Sequence, residues 1–355
     1  MEDCHVLAAS DNNYLVGLYT TLASIVVANN LKDRFVFHVI DLGIHPEQKT
    51  KLQSFFKKFE NVRLDLHTVD LSVFQGAKTG RLGLPAYARL YMGHVVASPR
   101  CIYIDVDFLA GRDLREIWNR EMDGNIFLAR HEDATFSGGA YSSLAADCPF
   151  EPKENVAHYR YFNTGFLLCD LDAYRRERVF EQALGLIQTH GDKCTAWDQT
   201  LLNYICRGKI GTLAPEWNTT GGSIEVLGEN TNYHFFNARK PWDYTAHSPS
   251  VALWKLFYKI FIRSDFPHTP PWKARMRNLA FHLRTLALYI APDAFAFIEQ
   301  TLHPQARQVY DIKRLYYRHY RDNRLRGGLD PASREIYRRK KKQWRELAAR
   351  FAGHF

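Results

Sequence analysis

The sequence predicts an α/β fold built on a mixed, mostly parallel sheet, followed by a basic and mainly helical region. Three observations predict it. Short apolar segments alternate with amphipathic helical patterns near the start of the chain. A polar turn, Ser10-Asp11-Asn12, joins the first apolar segment to the first helical one. A later apolar run ends in two carboxylates, Asp105 and Asp107. Strand, polar turn and helix in this order are typical of α/β domains that bind nucleotides.

Length and charge predict two regions. The 355 residues are 46% hydrophobic and 14% aromatic, which is typical of a globular protein that can bury a full core. Residues 251–355 hold 22 Lys and Arg against 8 Asp and Glu, whereas residues 1–250 hold 25 against 30. We therefore predict a mildly acidic catalytic domain over 1–250 and a basic region over 251–355 that serves surface attachment or the acceptor.

Cysteines and termini predict the compartment. The six cysteines form no C-x-x-C pair, and several lie in apolar runs, which indicates buried free thiols in a reducing compartment. The first residues lack the pattern of a secretory signal, and charges interrupt every apolar stretch well short of a membrane span. We therefore expect a cytoplasmic protein.

The first elements follow from hydrophobic periodicity. Apolar segments predict strands at 5–10, 35–40 and 61–67, and the intervening patterns predict helices after residue 14 and over 46–59. A glycine-containing loop over 76–83 leads to a helix beginning near Pro85. That helix would carry Arg89 toward the sheet edge where ligands collect, although a surface arginine is an equal alternative.

The later elements continue the alternation. The pattern predicts a short amphipathic segment at 114–118, strands at 125–129 and 161–171, and helices over 174–189 and from residue 197. Residues 131–160 have the composition of a long irregular loop, in which Glu132 and Asp133 could reach an active site or simply be solvated. Asp198 and Gln199 fall in the first turn of the last helix, where the helix dipole alone explains a carboxylate.

The run from Cys101 to Leu109 contains the carboxylate pair Asp105 and Asp107. In a strand, side chains two residues apart point to the same side, so the pair could hold one cation. Mg²⁺ and Mn²⁺ take oxygen ligands and are often held by carboxylates together with a substrate phosphate. A bare D-x-D is common by chance. Farther along, His234 could ligate a metal and Lys240 could meet a phosphate, or both could be structural.

The tail ends in a predicted helix that begins at Asp330-Pro331. Its apolar side chains, Ile336, Trp344, Leu347 and Phe351, share one face, and the opposite face is basic. This pattern is typical of a helix that lies on an anionic membrane surface. A nucleic-acid arm fits the helical phasing of the aromatics less well, so we expect no nucleic acid. A helix packed against the body is the other alternative.

The ordered set of motifs resembles glycosyltransferase family 8, and within it the bacterial lipopolysaccharide and lipooligosaccharide galactosyl- and glucosyltransferases. The resemblance covers roughly residues 5–242. It rests on Ala8-Ala9-Ser10-Asp11-Asn12, Tyr87-Ala88-Arg89, Tyr103-Ile104-Asp105-Val106-Asp107, Phe162-Asn163-Thr164-Gly165, Asp198-Gln199-Thr200-Leu201-Leu202-Asn203, and His234 with Lys240-Pro241-Trp242. Any one of these motifs is weak evidence, whereas their order along one chain is strong evidence.

The resemblance implies a GT-A nucleotide-sugar domain that moves a hexose from a UDP-sugar with retention of configuration and uses Mn²⁺ (or Mg²⁺). Asp105, Asp107 and His234 would bind the metal. The remaining implied donor contacts are Ala8, Ser10 or Asp11, and Asn12 at the uridine, Val106 beside the metal ligands, Arg89 and Asn163 at the sugar, Asp198 at its hydroxyls, and Lys240 at the diphosphate. Gln199 would lie near the anomeric carbon, so Gln199, Asp198 and Asn163 are the implied catalytic residues.

Two departures from the family pattern bear on these roles. Ser10 stands where bacterial relatives often have an acidic residue, and Asn237 stands where glycine is common. Because a carboxamide is a poor nucleophile, we expect the acceptor to attack from the face on which UDP leaves, with Gln199 stabilising the cationic centre. The loops at 76–84 and 237–242 are expected to close over the donor and exclude water.

The acceptor follows from the tail. A basic amphipathic C-terminus suggests an enzyme peripheral to the inner face of the membrane, acting on a lipid-linked saccharide such as lipopolysaccharide core. A glycogenin-like enzyme that glucosylates itself would share the motifs, and 19 tyrosines leave that alternative open. A nucleotidyltransferase is a weaker alternative, since it would need a glycine-rich phosphate loop where this chain has Ser10-Asp11-Asn12-Asn13.

Overall fold

The computed structural model describes residues 2–79, 83–133, 142–220, 227–236, 240–243, 246, 248–262 and 329–350. These residues form two compact units. The first contains residues 2–219 and Asn230–His234, and the second contains Thr220, residues 227–229 and the described residues from Phe235 onward. The domain boundary expected at residue 250 stays a prediction, and that residue lies inside a helix.

The described residues form ten strands and ten α-helices. The strands are β1 (Cys4–Ser10), β2 (Phe35–Asp41), β3 (Val62–His67), β4 (Arg100–Ile104), β5 (Phe108–Leu109), β6 (Phe127–His131), β7 (Phe162–Asp170), β8 (Ile210–Thr212), β9 (Thr219–Thr220) and β10 (Tyr233–His234). The helices are α1 (Leu15–Ala28), α2 (Pro46–Phe56), α3 (Met92–Val95), α4 (Arg115–Trp118), α5 (Lys153–Val156), α6 (Leu171–Arg176), α7 (Val179–His190), α8 (Asp198–Ile205), α9 (Pro249–Phe261) and α10 (Pro331–Arg350).

The main sheet has seven strands in the order β3-β2-β1-β4-β7-β6-β8. Neighbouring strands are parallel except β7, which runs antiparallel to both β4 and β6. The expected mixed, mostly parallel sheet is therefore confirmed. A smaller sheet has the order β5-β10-β9.

Helices cover the sheet and bury its apolar strands. Helix α1 is buried along nearly its whole length, as expected for a helix that is apolar on every side. A large apolar cluster includes residues of α3, α6, α7 and α8, among them Tyr174, Ile187 and Leu201. The six cysteines all lie among the described residues, and there they are buried and free of disulfides, as the sequence predicts.

Two local predictions need correction and one gains detail. The segment over 174–189 is two helices, α6 and α7, because Arg178 between them has a positive φ of 54° that breaks the helix. The segment beginning near Pro85 is helical as predicted, first as a 3₁₀ helix, Leu84–Tyr91, and then as α3. The run from Cys101 to Leu109 is two short strands, β4 and β5, so Asp105 and Asp107 lie in a bend between them.

The second unit contains α9 and α10. Helix α10 begins where the sequence predicts, and the Asp330 carboxylate accepts a hydrogen bond from the Ser333 amide at 2.9 Å. The ring of Trp344 packs edge-on against Phe257 of α9, with 5.1 Å between centroids. Of the predicted apolar face, Trp344 and Leu347 are buried, whereas Phe351 is outside the described residues. Packing on α9 accounts for the burial of Trp344.

No helix among the described residues combines the length and the apolar character that crossing a bilayer requires.

Candidate active site

The site lies at one edge of the main sheet. Strand β4 runs parallel to β1, and Leu7 is the partner of Tyr103. Strand β7 runs antiparallel to β4, so its start lies beside the end of β4, where the Asp105 amide donates to the Gly165 carbonyl at 2.8 Å. The carboxyl ends of β1 and β4 therefore meet the amino end of β7 at the same edge, which is where open α/β sheets bind ligands.

The bend between β4 and β5 places the two aspartates. Thr21 of α1 holds this bend, since its Oγ1 lies 3.0 Å from the Val106 carbonyl oxygen and 2.9 Å from that of Phe108. Asp107 is buried, and the Asp105 side chain is 25% exposed. The carboxylates converge because the backbone bends between them, and not because of the extended backbone that the sequence suggested.

His234 joins the two aspartates. Strand β10 pairs antiparallel with β5, with His234 opposite Phe108, and the imidazole stacks on the Phe108 ring at 4.3 Å between centroids. His234 Nε2 lies 3.6 Å from Asp105 Oδ2 and 3.3 Å from Asp107 Oδ1. One ligand atom from each of the three residues lies within 4.8 Å of the others. Two carboxylate oxygens and one imidazole nitrogen at this spacing are a donor set that could hold a divalent metal ion.

Arg89 forms ion pairs with Asp105, one of the metal-ligand candidates, and with Asp198 at the start of α8. Its guanidinium lies 2.7 Å from Asp198 Oδ2 and 3.1 Å from Asp105 Oδ1, and it stacks on the Tyr103 ring at 4.5 Å. Tyr103 also donates its hydroxyl to Asp105 Oδ1 at 2.8 Å. Asp105 Oδ1 is thus held by Tyr103 and Arg89, and Oδ2 faces His234.

Burial and the charges around Arg89 shift the pKa values of Asp198 and of Arg89 itself. Burial raises the pKa of Asp198 to about 7, although the Arg89 charge acts in the opposite direction. Burial by itself would lower the pKa of Arg89, but Asp105 and Asp198 raise it above its ordinary value. Arg89 therefore stays positively charged. Its charge offsets the energetic cost of burying Asp198 in the ionised form.

Gln199 lies at the other side of the same cluster. Its Oε1 accepts from Asn163 Nδ2 at 3.2 Å and from the Thr164 amide at 3.1 Å. Its Nε2 points toward Glu132 Oε1 at 3.5 Å and the Tyr161 hydroxyl at 3.4 Å. The start of β7 and the first turn of α8 therefore bring Asn163, Gln199 and Asp198 together, and their catalytic role stays a prediction.

The residues expected at the uridine lie in and after the end of β1. Ala8 and Ser10 are buried, and the Ser10 hydroxyl donates to the Asp11 carbonyl at 3.0 Å. The Asp11 carboxylate accepts from the amides of Asn13 and Tyr14, so it caps the short 3₁₀ helix that follows. Asn12 Oδ1 accepts a hydrogen bond from the His45 amide at 3.3 Å. Their role at a uridine stays a prediction.

Lys240 belongs to the second unit. Its Nζ donates to the Phe235 carbonyl at 2.9 Å, and its amide donates to Asp243 Oδ2 at 3.0 Å. Its expected role at the diphosphate stays a prediction. Asn237 lies outside the described residues, as do residues 80–82 and 237–239 of the two expected closing loops.

Comparison with known proteins assigns this arrangement to a family. Residues 5–246 match the family model described as Glycosyl transferase family 8. The chain belongs to glycosyl transferase family 8. The resemblance seen in the sequence is therefore confirmed, and the chain is a glycosyltransferase by family.

Several relatives of this family 8 chain are bacterial. General stress protein A of Bacillus subtilis is 26% identical over 70% of this chain and 90% of its own length. The lipopolysaccharide 1,2-glucosyltransferase of Escherichia coli is 24% identical over 77% of this chain and 80% of its own length. A protein of Haemophilus influenzae is 26% identical over 63% of this chain, which spans 65% of the length of that relative.

Solved structures share the fold. The galactosyltransferase LgtC in complex with donor and acceptor sugar analogues superposes with a TM-score of 0.62 at 19% identity, covering 76% of this chain and 99% of LgtC. An active-site mutant of LgtC, in which a glutamine is replaced by glutamate, gives the same score. This likeness confirms the GT-A fold for the family 8 chain.

Sequence reasoning missed part of the family 8 site. Asn218 is completely buried and its Oδ1 lies 3.0 Å from His234 Nδ1, yet nothing in its surrounding sequence distinguishes it from an ordinary loop asparagine. For Glu132 and Asp133 the sequence leaves open whether they reach an active site or are solvated. The structure separates the pair, because Glu132 is buried beside Gln199, whereas the half-exposed Asp133 pairs with Arg130 at 3.5 Å.

Proposed function

We propose that this chain transfers a hexose, galactose or glucose, from a UDP-sugar to a saccharide acceptor with retention of anomeric configuration and in a metal-dependent manner. The observation that carries the proposal is the convergence of Asp105, Asp107 and His234 at the ligand-binding edge of a family 8 fold. Family membership supports sugar transfer over nucleotidyl transfer.

The donor set supports a hard divalent cation. When bound there, Mn²⁺ or Mg²⁺ would stabilise the negative charge that develops on the diphosphate as the sugar leaves. Asp105 offers Oδ2 to this position because Tyr103 and Arg89 already engage Oδ1. His234 offers Nε2, since its Nδ1 is bound to Asn218. Asp105 and His234 are thus each oriented by a hydrogen bond or ion pair on the other atom.

The remaining residues of the donor site are assigned by the resemblance. The proposal places Ala8, Asn12 and either Ser10 or Asp11 at the uridine, Val106 beside the metal ligands, and Lys240 at the diphosphate. Lys240 would add a positive charge where the leaving group becomes more negative, which favours cleavage of the sugar–phosphate bond. Arg89, Asn163 and Asp198 would position the sugar.

The transfer itself is proposed to occur on one face of the sugar. An acceptor hydroxyl attacks the anomeric carbon on the side from which UDP leaves, and its proton passes to the departing phosphate oxygen. Gln199 would lie beside the anomeric carbon, where its carboxamide dipole and the nearby Glu132 carboxylate stabilise positive charge. The active-site glutamine of LgtC supports this place for Gln199.

The first test is release of UDP from a panel of UDP-sugars by the purified chain, with and without Mn²⁺. Asp105→Ala and His234→Gln are compared with Asp172→Asn, whose carboxylate is exposed and pairs with Arg175 outside this cluster. We expect turnover of one donor that requires metal, is lost in the first two variants and is retained in the third. The absence of turnover with every UDP-sugar, or an inverted product, would refute the proposal.

The acceptor is proposed to be a lipid-linked saccharide such as lipopolysaccharide core, met at the cytoplasmic face of the membrane. The name of the Escherichia coli relative supports a lipopolysaccharide acceptor. Six basic side chains of α10 are exposed and offer positive charge to an anionic surface, namely Arg334, Arg338, Arg339, Lys342, Arg345 and Arg350. Because Trp344 packs on α9 and Leu347 is buried, this attraction would rest on charge and not on insertion of these two side chains.

Vesicle sedimentation tests the membrane part separately. Replacing Arg338, Lys342 and Arg345 with glutamine should release the chain from anionic vesicles at low salt, whereas Arg63→Gln in the sheet should not. Unchanged binding of the triple variant would exclude α10 as the attachment surface.

Incubation with UDP-sugar alone tests the glycogenin-like alternative, since self-glucosylation would raise the mass of the chain by whole hexoses.

A further inference from the structure

A chain of buried side chains joins His234 to Gln199. His234 Nδ1 lies 3.0 Å from Asn218 Oδ1, and Asn218 Nδ2 donates to Asn163 Oδ1 at 3.0 Å. Asn163 Nδ2 then donates to Gln199 Oε1 at 3.2 Å. Asn218 is completely buried, and Asn163 and His234 are nearly so. One unbroken set of hydrogen bonds therefore connects a metal-ligand candidate with the residue proposed to lie at the anomeric carbon.

Backbone amides set the direction of this chain. An amide N–H can only donate, and the Gly165 amide donates to Asn163 Oδ1 at 2.9 Å. Asn163 Oδ1 is therefore an acceptor, so Asn218 must present its NH₂ group to Asn163 and its oxygen to His234. An oxygen facing Nδ1 requires a hydrogen on that nitrogen. In a neutral imidazole the lone pair is then on Nε2, the nitrogen that faces Asp105 and Asp107.

The other end of the chain is set in the same way. The Thr164 amide donates to Gln199 Oε1 at 3.1 Å, which fixes this oxygen as the acceptor and directs Nε2 toward Glu132. Two consecutive amides at the start of β7 thus orient three carboxamides and one imidazole. Asn218 is the member that carries this order across to the metal-ligand candidates.

We propose that Asn218 is a positioning residue that holds His234 in the Nδ1–H tautomer and links it to Asn163 and Gln199. This rests on the proposed metal-dependent transfer, although the metal-binding part requires no turnover. Hydrogen-bond partners of metal ligands change metal affinity by about 10- to 100-fold when they are lost. Asn218 is also the single side chain through which His234 and Asn163 are connected in the hydrogen bonds described above.

Two substitutions separate the roles of the two ends of Asn218. Asn218→Leu has a similar volume and can neither accept from His234 nor donate to Asn163. Asn218→Asp still accepts from His234 Nδ1–H but cannot donate, so its carboxylate would repel Asn163 Oδ1. Asn163 would have to turn, and it would then lose its donation to Gln199 Oε1.

The experiment measures the Mn²⁺ dissociation constant by calorimetry and, where a donor is turned over, kcat and KM. Asn218→Leu should bind Mn²⁺ about 10- to 100-fold more weakly. Asn218→Asp should bind Mn²⁺ no more weakly than the native chain and should lose kcat with little change in donor KM. Asn29→Leu is the matched control, because Asn29 is equally buried and hydrogen-bonded to Asp33 and Asp113, away from this chain. It should leave the Mn²⁺ constant unchanged.

Native Mn²⁺ affinity in Asn218→Leu would overturn the proposal, as would equal weakening in the Asp and Leu variants. Where circular dichroism shows that the Leu variant does not fold, Asn218→Ala takes its place and the same comparison decides. Failure of the proposed function is distinct, since the native chain would then bind Mn²⁺ without turning over any UDP-sugar.

Discussion

Gly165 packs against the imidazole of His234 so closely that a Cβ atom at position 165 would lie 2.2 Å from His234 Cε1. The same Cβ would lie 2.9 Å from Asp105 Oδ2. Contacts this short are not tolerated, so any larger residue must displace the ring or the carboxylate. The glycine of the Asn163-Thr164-Gly165 segment is therefore required by the side chains beside it.

Gly165→Ala should weaken Mn²⁺ binding by at least about 10-fold, because the displaced ring no longer presents Nε2 beside Asp105 and Asp107. Calorimetric titration with Mn²⁺ measures the effect. Gly185→Ala is the matched control, since a Cβ there meets no atom within 4 Å and the residue lies in helix α7. The control should keep native affinity and gain about 0.5–1 kcal/mol of stability. Native affinity in Gly165→Ala would contradict the geometry of the site.

The sequence could predict those features that follow from patterns of residues along the chain. Alternating apolar segments predicted the sheet, and ordered polar motifs predicted that Asp105, Asp107 and His234 would meet. It could not predict the bend that actually joins the two aspartates, because Thr21, the residue that holds this bend, is distant in the chain. Asn218 was missed for the same reason, since its importance comes from its partners and not from its neighbours in sequence.

Arg89→Met should destabilise the protein by about 3–5 kcal/mol, because it leaves the buried Asp198 carboxylate without its compensating charge. Urea unfolding measures the loss. Arg63→Met is the control, since its pair with Asp65 is on the surface and should be worth no more than about 1 kcal/mol. Equal losses in the two variants would show that the Arg89 pair is not a buried charge pair.

The contribution of His38 to stability should decrease as the pH falls from about 6.5 to about 4. Burial lowers the pKa of His38 to about 4, and the neighbouring His5 and His67 act in the same direction. Between these pH values the unfolded histidine holds a proton that the folded one excludes, so this contribution to the free energy of unfolding falls by up to about 3 kcal/mol. Asp198, whose pKa burial raises, contributes with the opposite sign, so the test compares each variant with the native chain. In urea midpoints across this range, His38→Gln should remove the His38 contribution to the slope, whereas substitution of the exposed His158 should leave the native slope unchanged.

Trp344→Ala should loosen the second unit. The Trp344 ring lies against Phe257 and Phe261 of α9, and removing a large buried aromatic side chain typically costs about 3–5 kcal/mol. Hydrogen exchange of the α9 amides, Pro249–Phe261, should therefore accelerate, while exchange in β1 of the first unit should not change. Arg345→Ala, one residue farther along α10 and exposed, should leave both unchanged. If α9 exchanged at the native rate in Trp344→Ala, the apolar face of α10 would be free of α9 in solution and available to a membrane, as the sequence pattern alone suggests.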